Sequence, residues 1–227
     1  MADYREVYDH HAERYDRLVS HEDVDGALPR ALFELLGAGA FDIVETGAGT
    51  GRVTRLLAPR ARSQRAFDGA AAMVEVAKAK QPDVAWGVAT HDALPVPDAC
   101  ADLAIEGWAF GHAVGWNPDG WRDDVRRWVR ELERITRPGG QLVLIETLGT
   151  GVETPFAEPH SLIPFDAFVR EALGFTRVDL RTDYAFETVD DAAQTLGFFF
   201  GEKMEQRIRA RRWARVPECT GVYRRAR

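Results

Sequence analysis

From Asp42 to Val53 the chain reads Asp-Ile-Val-Glu-Thr-Gly-Ala-Gly-Thr-Gly-Arg-Val, an apolar strand that runs into a turn with glycine at every second position and then into a helix. No other stretch limits the fold as tightly. Gly47, Gly49 and Gly51 carry no Cβ, so the backbone can turn sharply after the strand and approach a ligand closely. The arrangement predicts a strand-to-helix unit of an α/β sheet, with a nucleoside at the strand's carboxyl end. Glu45, Gly47, Ala48, Gly49 and Gly51 are the residues this sets beside the ligand.

A second short strand, Arg65-Ala66-Phe67-Asp68, ends in a carboxylate where the next strand of such a unit should finish. Asp68 can accept both hydroxyls of a ribose, which NAD and S-adenosylmethionine present alike. The glycine spacing separates the two. A dinucleotide loop has the pattern G-x-G-x-x-G, and here Arg52 occupies the place of its last glycine. Glu45 stands two residues before the first glycine, an unfavourable neighbour for a pyrophosphate and a natural one for a sulfonium amino acid.

With these residues in view, the chain resembles the class I S-adenosylmethionine-dependent methyltransferases. Four blocks match in order: Glu45 to Gly51, Asp68-Gly69-Ala70-Ala71-Ala72-Met73, Thr90 to Asp98, and Arg137-Pro138-Gly139-Gly140. The resemblance implies a Rossmann-like, seven-stranded, mostly parallel sheet with its last strand reversed, the last two strands forming a hairpin, helices on both faces and an N-terminal helical lid. It implies S-adenosylmethionine as cofactor and S-adenosylhomocysteine as product, with Asp68, Gly69, Met73, Glu106 and Tyr15 near the cofactor. Ala70 replaces the family's usual serine. Thr90 stands where an adenine-binding aspartate is usual, so either Thr90 with the His91 amide faces the ring or Asp92 takes over.

The length of 227 residues and a 45% hydrophobic content suit one domain with a sizeable core. Its parts are a lid helix within 1–25, a cofactor-binding core over 26–147, and an acceptor-side insertion with C-terminal strands over 148–227. Apolar spacing predicts one amphipathic helix over 3–19, with Tyr4, Val7, His11, Tyr15 and Leu18 near one face. Helices over 26–36 and 70–80 follow, then one through Val125, Trp128, Val129, Leu132 and Ile135 that Pro138-Gly139-Gly140 terminates. Beyond it come a strand near 176–186, another helix and a last strand near 219–224.

A net charge of −7 argues against a general polyanion binder. The cluster Arg207, Arg209, Arg211, Arg212 and Arg215 reads as a solvated helix face, or else as a patch for an anionic substrate or RNA. Cys100 and Cys219 have no partner at metal-ligand spacing, so neither a metal site nor a disulfide framework is expected. With no secretion signal or spanning segment in view, the expectation is a cytoplasmic monomer or homodimer that avoids membranes and nucleic acid.

Three residues are candidates for proton transfer to or from the acceptor. His112 follows the fourth strand, and an ordinary histidine pKa near 6.5 suits neutral pH. Glu146 lies in the fifth strand and His160 in the proline-rich insertion. Each can equally be a structural hydrogen bonder. Trp108, Phe110, Trp116, Trp121, Phe156, Phe165 and the run Phe198-Phe199-Phe200 suit a flat acceptor, although three successive helical residues cannot face one way. The reading is methyl transfer by in-line displacement to an oxygen or nitrogen of a small aromatic or heteroaromatic metabolite. An RNA or protein methyltransferase is the first alternative, and a non-catalytic cofactor-binding protein the second. An NAD-dependent dehydrogenase is a more distant third.

Overall fold

A computed structural model of the chain describes residues 4–227. Seven strands form one sheet: β1 (Phe41–Thr46), β2 (Ala61–Asp68), β3 (Ala85–Val88), β4 (Ala101–Gly107), β5 (Thr136–Thr150), β6 (Thr176–Arg181) and β7 (Glu218–Ala226). Their order across the sheet is β3-β2-β1-β4-β5-β7-β6. The first five are parallel, and β7 lies between β5 and β6, antiparallel to both. β6 and β7 are not a tight hairpin, because residues 182–217 lie between them and carry two helices. A separate two-residue ladder pairs Tyr184–Ala185 with Arg215–Val216.

The helices are α1 (Tyr4–His10), α2 (Ala12–Ser20), α3 (Ala27–Leu36), α4 (Arg52–Leu57), α5 (Ala71–Lys80), α6 (Ala113–Trp116), α7 (Trp121–Ile135), α8 (Ile163–Ala167), α9 (Val189–Phe200) and α10 (Glu202–Arg211). They cover both faces of the sheet because successive strand side chains point opposite ways. Leu142 and Leu144 of β5 pack with Val125, Val129, Leu132 and Ile135 of α7. Val143 and Ile145 turn the other way, onto Leu28 and Leu32 of α3 and Val53 and Leu57 of α4. Trp128 is only half-buried, at the edge of the α7 layer.

Several boundaries differ from the sequence reading. The single helix expected over 3–19 is two, broken at His11, whose φ of −131° and ψ of 32° are not helical. On either side of the break, α1 and α2 both meet α5 and both reach α9. Leu18 and Val19 then pack with Leu196 of α9 and Ile208 of α10. α7 ends at Ile135 and the chain becomes extended at Thr136, before the Pro-Gly-Gly expected to stop it. Those residues form an irregularity at the start of β5, where the register with β4 shifts between Ala101 and Leu103. The strand expected over 176–186 is β6 plus the short ladder, and the helix after it is the pair α9 and α10.

Candidate active site

At the carboxyl edge of β1, β2 and β4 lies a cavity of about 270 Å³. Gly47, Gly49, Asp68, Gly69, Ala70 and Met73 line one side of it; His91, Trp108, Ala109, His112 and Trp116 line another; and Arg5, Tyr8, Asp9 and Tyr15 come from α1 and α2. Gly47 has a left-handed φ of +66°, and a Cβ there would come within 2.4 Å of the Ala109 Cβ and 3.1 Å of the His91 ring. Only a residue without a side chain lets the two loops approach this closely. Gly51, at φ +84°, serves packing instead, since a Cβ there would strike Gln81 and Trp86.

Asp68 faces the cavity with part of its hydrogen-bonding capacity committed. One carboxylate oxygen accepts from the Gly49 amide and the other from the Ala70 amide, each at 2.8 Å. Burial raises its pKa and these amides pull it back, as expected for a carboxylate at the base of a loop. Each carboxylate oxygen has a second lone pair, so the pair of acceptors needed by a ribose diol remains. With glycines on one side and this carboxylate at its floor, the cavity fits an S-adenosyl nucleoside: Asp68 would hold the ribose, and Gly47 and Gly49 would flank it.

Glu45 is directed elsewhere. It is buried, and its carboxylate accepts a 2.6 Å hydrogen bond from the Thr54 hydroxyl of α4. Burial pushes its pKa up to about 8, with the Thr54 hydrogen bond opposing. Ala48 is buried within the loop and does not line the cavity. Thr90 is exposed, and Asp92 faces solvent 3.7 Å from Arg127. Of the residues in the two adenine alternatives, Thr90 and Asp92 do not line the cavity. His91 does, through its side chain, with the Thr46 hydroxyl 2.8 Å from Nδ1 and the ring against Phe110 and Trp128. Burial lowers its pKa to about 4, so it is neutral at neutral pH.

Glu106 and Glu146 form a buried carboxyl pair behind the loop that follows β4. Glu106 accepts from the amides of Ala109 at 3.0 Å and Phe110 at 3.3 Å, and Glu146 accepts from the amide of Gly111. Neither lines the cavity. Burial raises the pKa of Glu146 to about 8, and burial with the neighbouring Glu146 charge raises that of Glu106 well above the usual carboxylate range. The pair fastens the loop backbone, a different place from the cofactor contact expected of Glu106 and the proton transfer expected of Glu146. His160 is also away from the cavity, with Nδ1 accepting from the Leu162 amide at 3.2 Å and its ring near Phe156.

His112 is the sequence-derived proton-transfer candidate that the cavity contains. Its Nε2 lies 2.8 Å from the Tyr8 hydroxyl, and its ring stacks on Trp116 at 4.8 Å and 20°. Burial, then the nearby His91, lowers its pKa to about 4. Tyr15 also lines the cavity, and burial raises its pKa. Trp108 adopts a left-handed φ of 55° and is covered by the Arg52 guanidinium at 4.2 Å, while Arg52 pairs with buried Glu22 at 2.6 Å. The three phenylalanines diverge: Phe198 meets His11 and Arg14, Phe199 meets Tyr4, Tyr8 and Tyr15, and Phe200 meets Tyr184.

Arg5, Tyr8 and Asp9 were not singled out from the sequence. A signal existed for Tyr8, which stands four residues after Tyr4 and seven before Tyr15, a helical spacing onto one face.

Residues 44–144, from β1 into β5, match the family model described as a methyltransferase domain. That match takes in a little under half of the chain and supports its likeness to the class I methyltransferases. The chain is also similar to a malonyl-[acyl-carrier protein] O-methyltransferase of Hahella chejuensis, at 38% identity over 45% of this chain and 35% of that protein. A protein of the same name from Serratia marcescens is 27% identical over 74% of this chain and 64% of its own length. The chain thus spans between a third and two thirds of these relatives. The solved structure of a SAM-dependent methyltransferase from Aquifex aeolicus shares the fold, with a TM-score of 0.54 at 15% identity, covering 87% of this chain and 89% of that one. Among the described residues no helix is long and apolar enough to cross a membrane, and no group of three or more His, Cys, Asp or Glu could hold a metal ion.

Proposed function

We propose that this protein transfers a methyl group from S-adenosylmethionine to an oxygen or nitrogen of a small aromatic or heteroaromatic acceptor. The observation that carries the reading is one cavity holding Asp68 and the Gly47-Gly49 turn on one side and His112 among aromatic rings on the other. When bound, the sulfonium would supply an electrophilic methyl, with a neutral thioether as the leaving group in line with the attacking acceptor. The chain's part is to hold the acceptor on that line and exclude water, which for well-oriented reactants contributes roughly 7–11 kcal/mol. Tyr15 and Trp108 put aromatic rings in the lining, surroundings that suit a ligand cation. His112 is neutral at neutral pH and can accept the proton the acceptor loses. The relatives' names, O-methyltransferases, support oxygen over nitrogen as the acceptor atom.

The arginine cluster gives an RNA acceptor little support: Arg207 pairs with Glu158, Arg209 with Asp190 and Glu205, and Arg215 with Asp25 and Asp183. Two unpaired cysteines, Cys100 and Cys219, suit a reducing cytoplasm. A ligand that binds only the native state raises the melting temperature. The test is a thermal shift with S-adenosylmethionine, S-adenosylhomocysteine and NAD, followed by acceptor turnover. Stabilisation by both sulfur nucleosides with turnover of an aromatic hydroxyl or amine is expected. Stabilisation by NAD alone would sink the reading, and tight binding without turnover of any acceptor would favour a binding protein.

A further inference from the structure

Tyr8 reaches from α1 into the cavity and sets its phenolic hydroxyl 2.8 Å from Nε2 of His112. Its ring meets Tyr15 edge-on at 5.4 Å and 85°, His112 at 5.7 Å and 62°, and Phe199 at 6.4 Å. On α6, Trp116 stacks against His112, and Arg5 lies over Trp116 at 4.8 Å. A phenol is therefore held by rings on several sides, hydrogen-bonded to a neutral imidazole, in the cavity that also holds Asp68. We infer that the Tyr8 side chain occupies the acceptor subsite, and that the acceptor is an aryl hydroxyl that takes the place of Tyr8 at His112. This rests on the reading of the cavity as a methyl-transfer site.

Size and charge both point this way. At about 270 Å³ the cavity lies just under the range of roughly 300–1,000 Å³ usual for small-molecule sites, so a nucleoside and an aromatic acceptor together need the space Tyr8 fills. Asp9 and Asp68 outnumber Arg5 in the lining, a balance that favours a neutral hydroxyl over a carboxylate. With the ring proton on Nδ1, Nε2 of His112 is the acceptor for either phenol. In the transfer, an oxygen lone pair forms the bond to the methyl carbon as the carbon–sulfur bond breaks and its electrons pass to sulfur. The phenolic proton goes to Nε2. Positive charge developing on the oxygen makes that proton strongly acidic, so an imidazole of lowered basicity still takes it.

Tyr8 then competes with the acceptor, whose apparent dissociation constant is the intrinsic one divided by the fraction of molecules with the subsite open, so that its affinity falls. The experiment measures calorimetric binding of p-cresol, the tyrosine side chain as a free molecule, to the wild type and to Tyr8→Ala, each loaded with S-adenosylhomocysteine. We expect p-cresol to bind Tyr8→Ala at least tenfold more tightly than wild type, the gain to be smaller for toluene and benzoate, and the excess of p-cresol over toluene to vanish when His112→Ala is added. Equal gains for toluene and p-cresol, or no gain for p-cresol, would overturn the inference while leaving the cofactor reading intact. Failure of S-adenosylhomocysteine to bind the wild type would instead overturn the cofactor reading. Tyr8→Phe keeps the ring and loses only the hydroxyl, which guards against a misfolded alanine variant. There p-cresol should gain roughly two- to tenfold, the worth of one hydrogen bond; an unchanged affinity would count against the proposal.

Discussion

Asp68 on β2 and the pair Glu106 and Glu146 on β4 and β5 are carboxylates on the same carboxyl-terminal side of one sheet, yet they meet opposite surroundings. After β2 the chain passes directly into α5 at Ala71, and Asp68 is left facing the cavity with two amides bound. After β4 the loop folds back, and three of its amides, on Ala109, Phe110 and Gly111, close onto Glu106 and Glu146. A carboxylate at a strand end thus receives a ligand or fastens the chain according to what the next few residues do. The buried pair holds the loop that carries His112, so it acts on the site at one remove.

The largest effect expected from breaking this contrast is on the open side. Asp68→Ala should weaken S-adenosylhomocysteine binding by about 10²- to 10⁴-fold, taking two charge-assisted hydrogen bonds at roughly 1.5–3 kcal/mol each. Calorimetry on the folded variant checks it, and an affinity within threefold of wild type would remove Asp68 from the ribose. On the closed side, Glu146→Ala should cost about 1–3 kcal/mol of stability, because it strands the buried Gly111 amide. Glu146→Gln keeps an acceptor for that amide and should cost less, which chemical denaturation of the two variants would reveal. If both variants lose cofactor affinity as Asp68→Ala does, the distinction between the two regions collapses.

A smaller effect is the dependence of stability on pH. Glu146 is held at about 8 in the fold by burial, above the carboxylate range of the unfolded chain. The folded state therefore keeps a proton the unfolded state gives up, so this contribution is full below the usual carboxylate range and is lost as pH rises through about 8. His112, lowered to about 4, contributes the opposite way: its share is present above the ordinary histidine range and lost as pH falls through about 4. Melting temperatures taken from pH 6 to pH 9 should fall less steeply in Glu146→Gln than in wild type. The smallest change belongs to the arginine face. Arg207→Gln, which breaks the exposed pair with Glu158, should leave cofactor affinity unchanged by calorimetry at any salt concentration.

Much of the cofactor side was legible because its information is local. Glycines at 47, 49 and 51, and a carboxylate at the next strand end, follow from backbone sterics and strand spacing over fewer than thirty residues. Even there, direction was hidden. Glu45 alternates onto the α4 face and bonds Thr54, and the turn after β3 presents the His91 ring while Thr90 and Asp92 face outward. Which way a side chain leaves a strand or turn depends on neighbours that the local sequence does not contain.

The acceptor side shows the limit most clearly. Tyr8 and His112 are 104 residues apart in sequence, and Glu146 reaches Gly111 across 35. By itself, the sequence determined the α/β class, the glycine turn and the carboxylate at its base, because periodicity and backbone sterics act over short range; the reversed last strand came from the family resemblance alone. Only the tertiary structure decided that the N-terminal helix breaks at His11, that Tyr8 meets His112, and that two strand-end carboxylates hold a loop. Those outcomes depend on how packed layers bring distant side chains within hydrogen-bonding distance, which is a property of the assembled core.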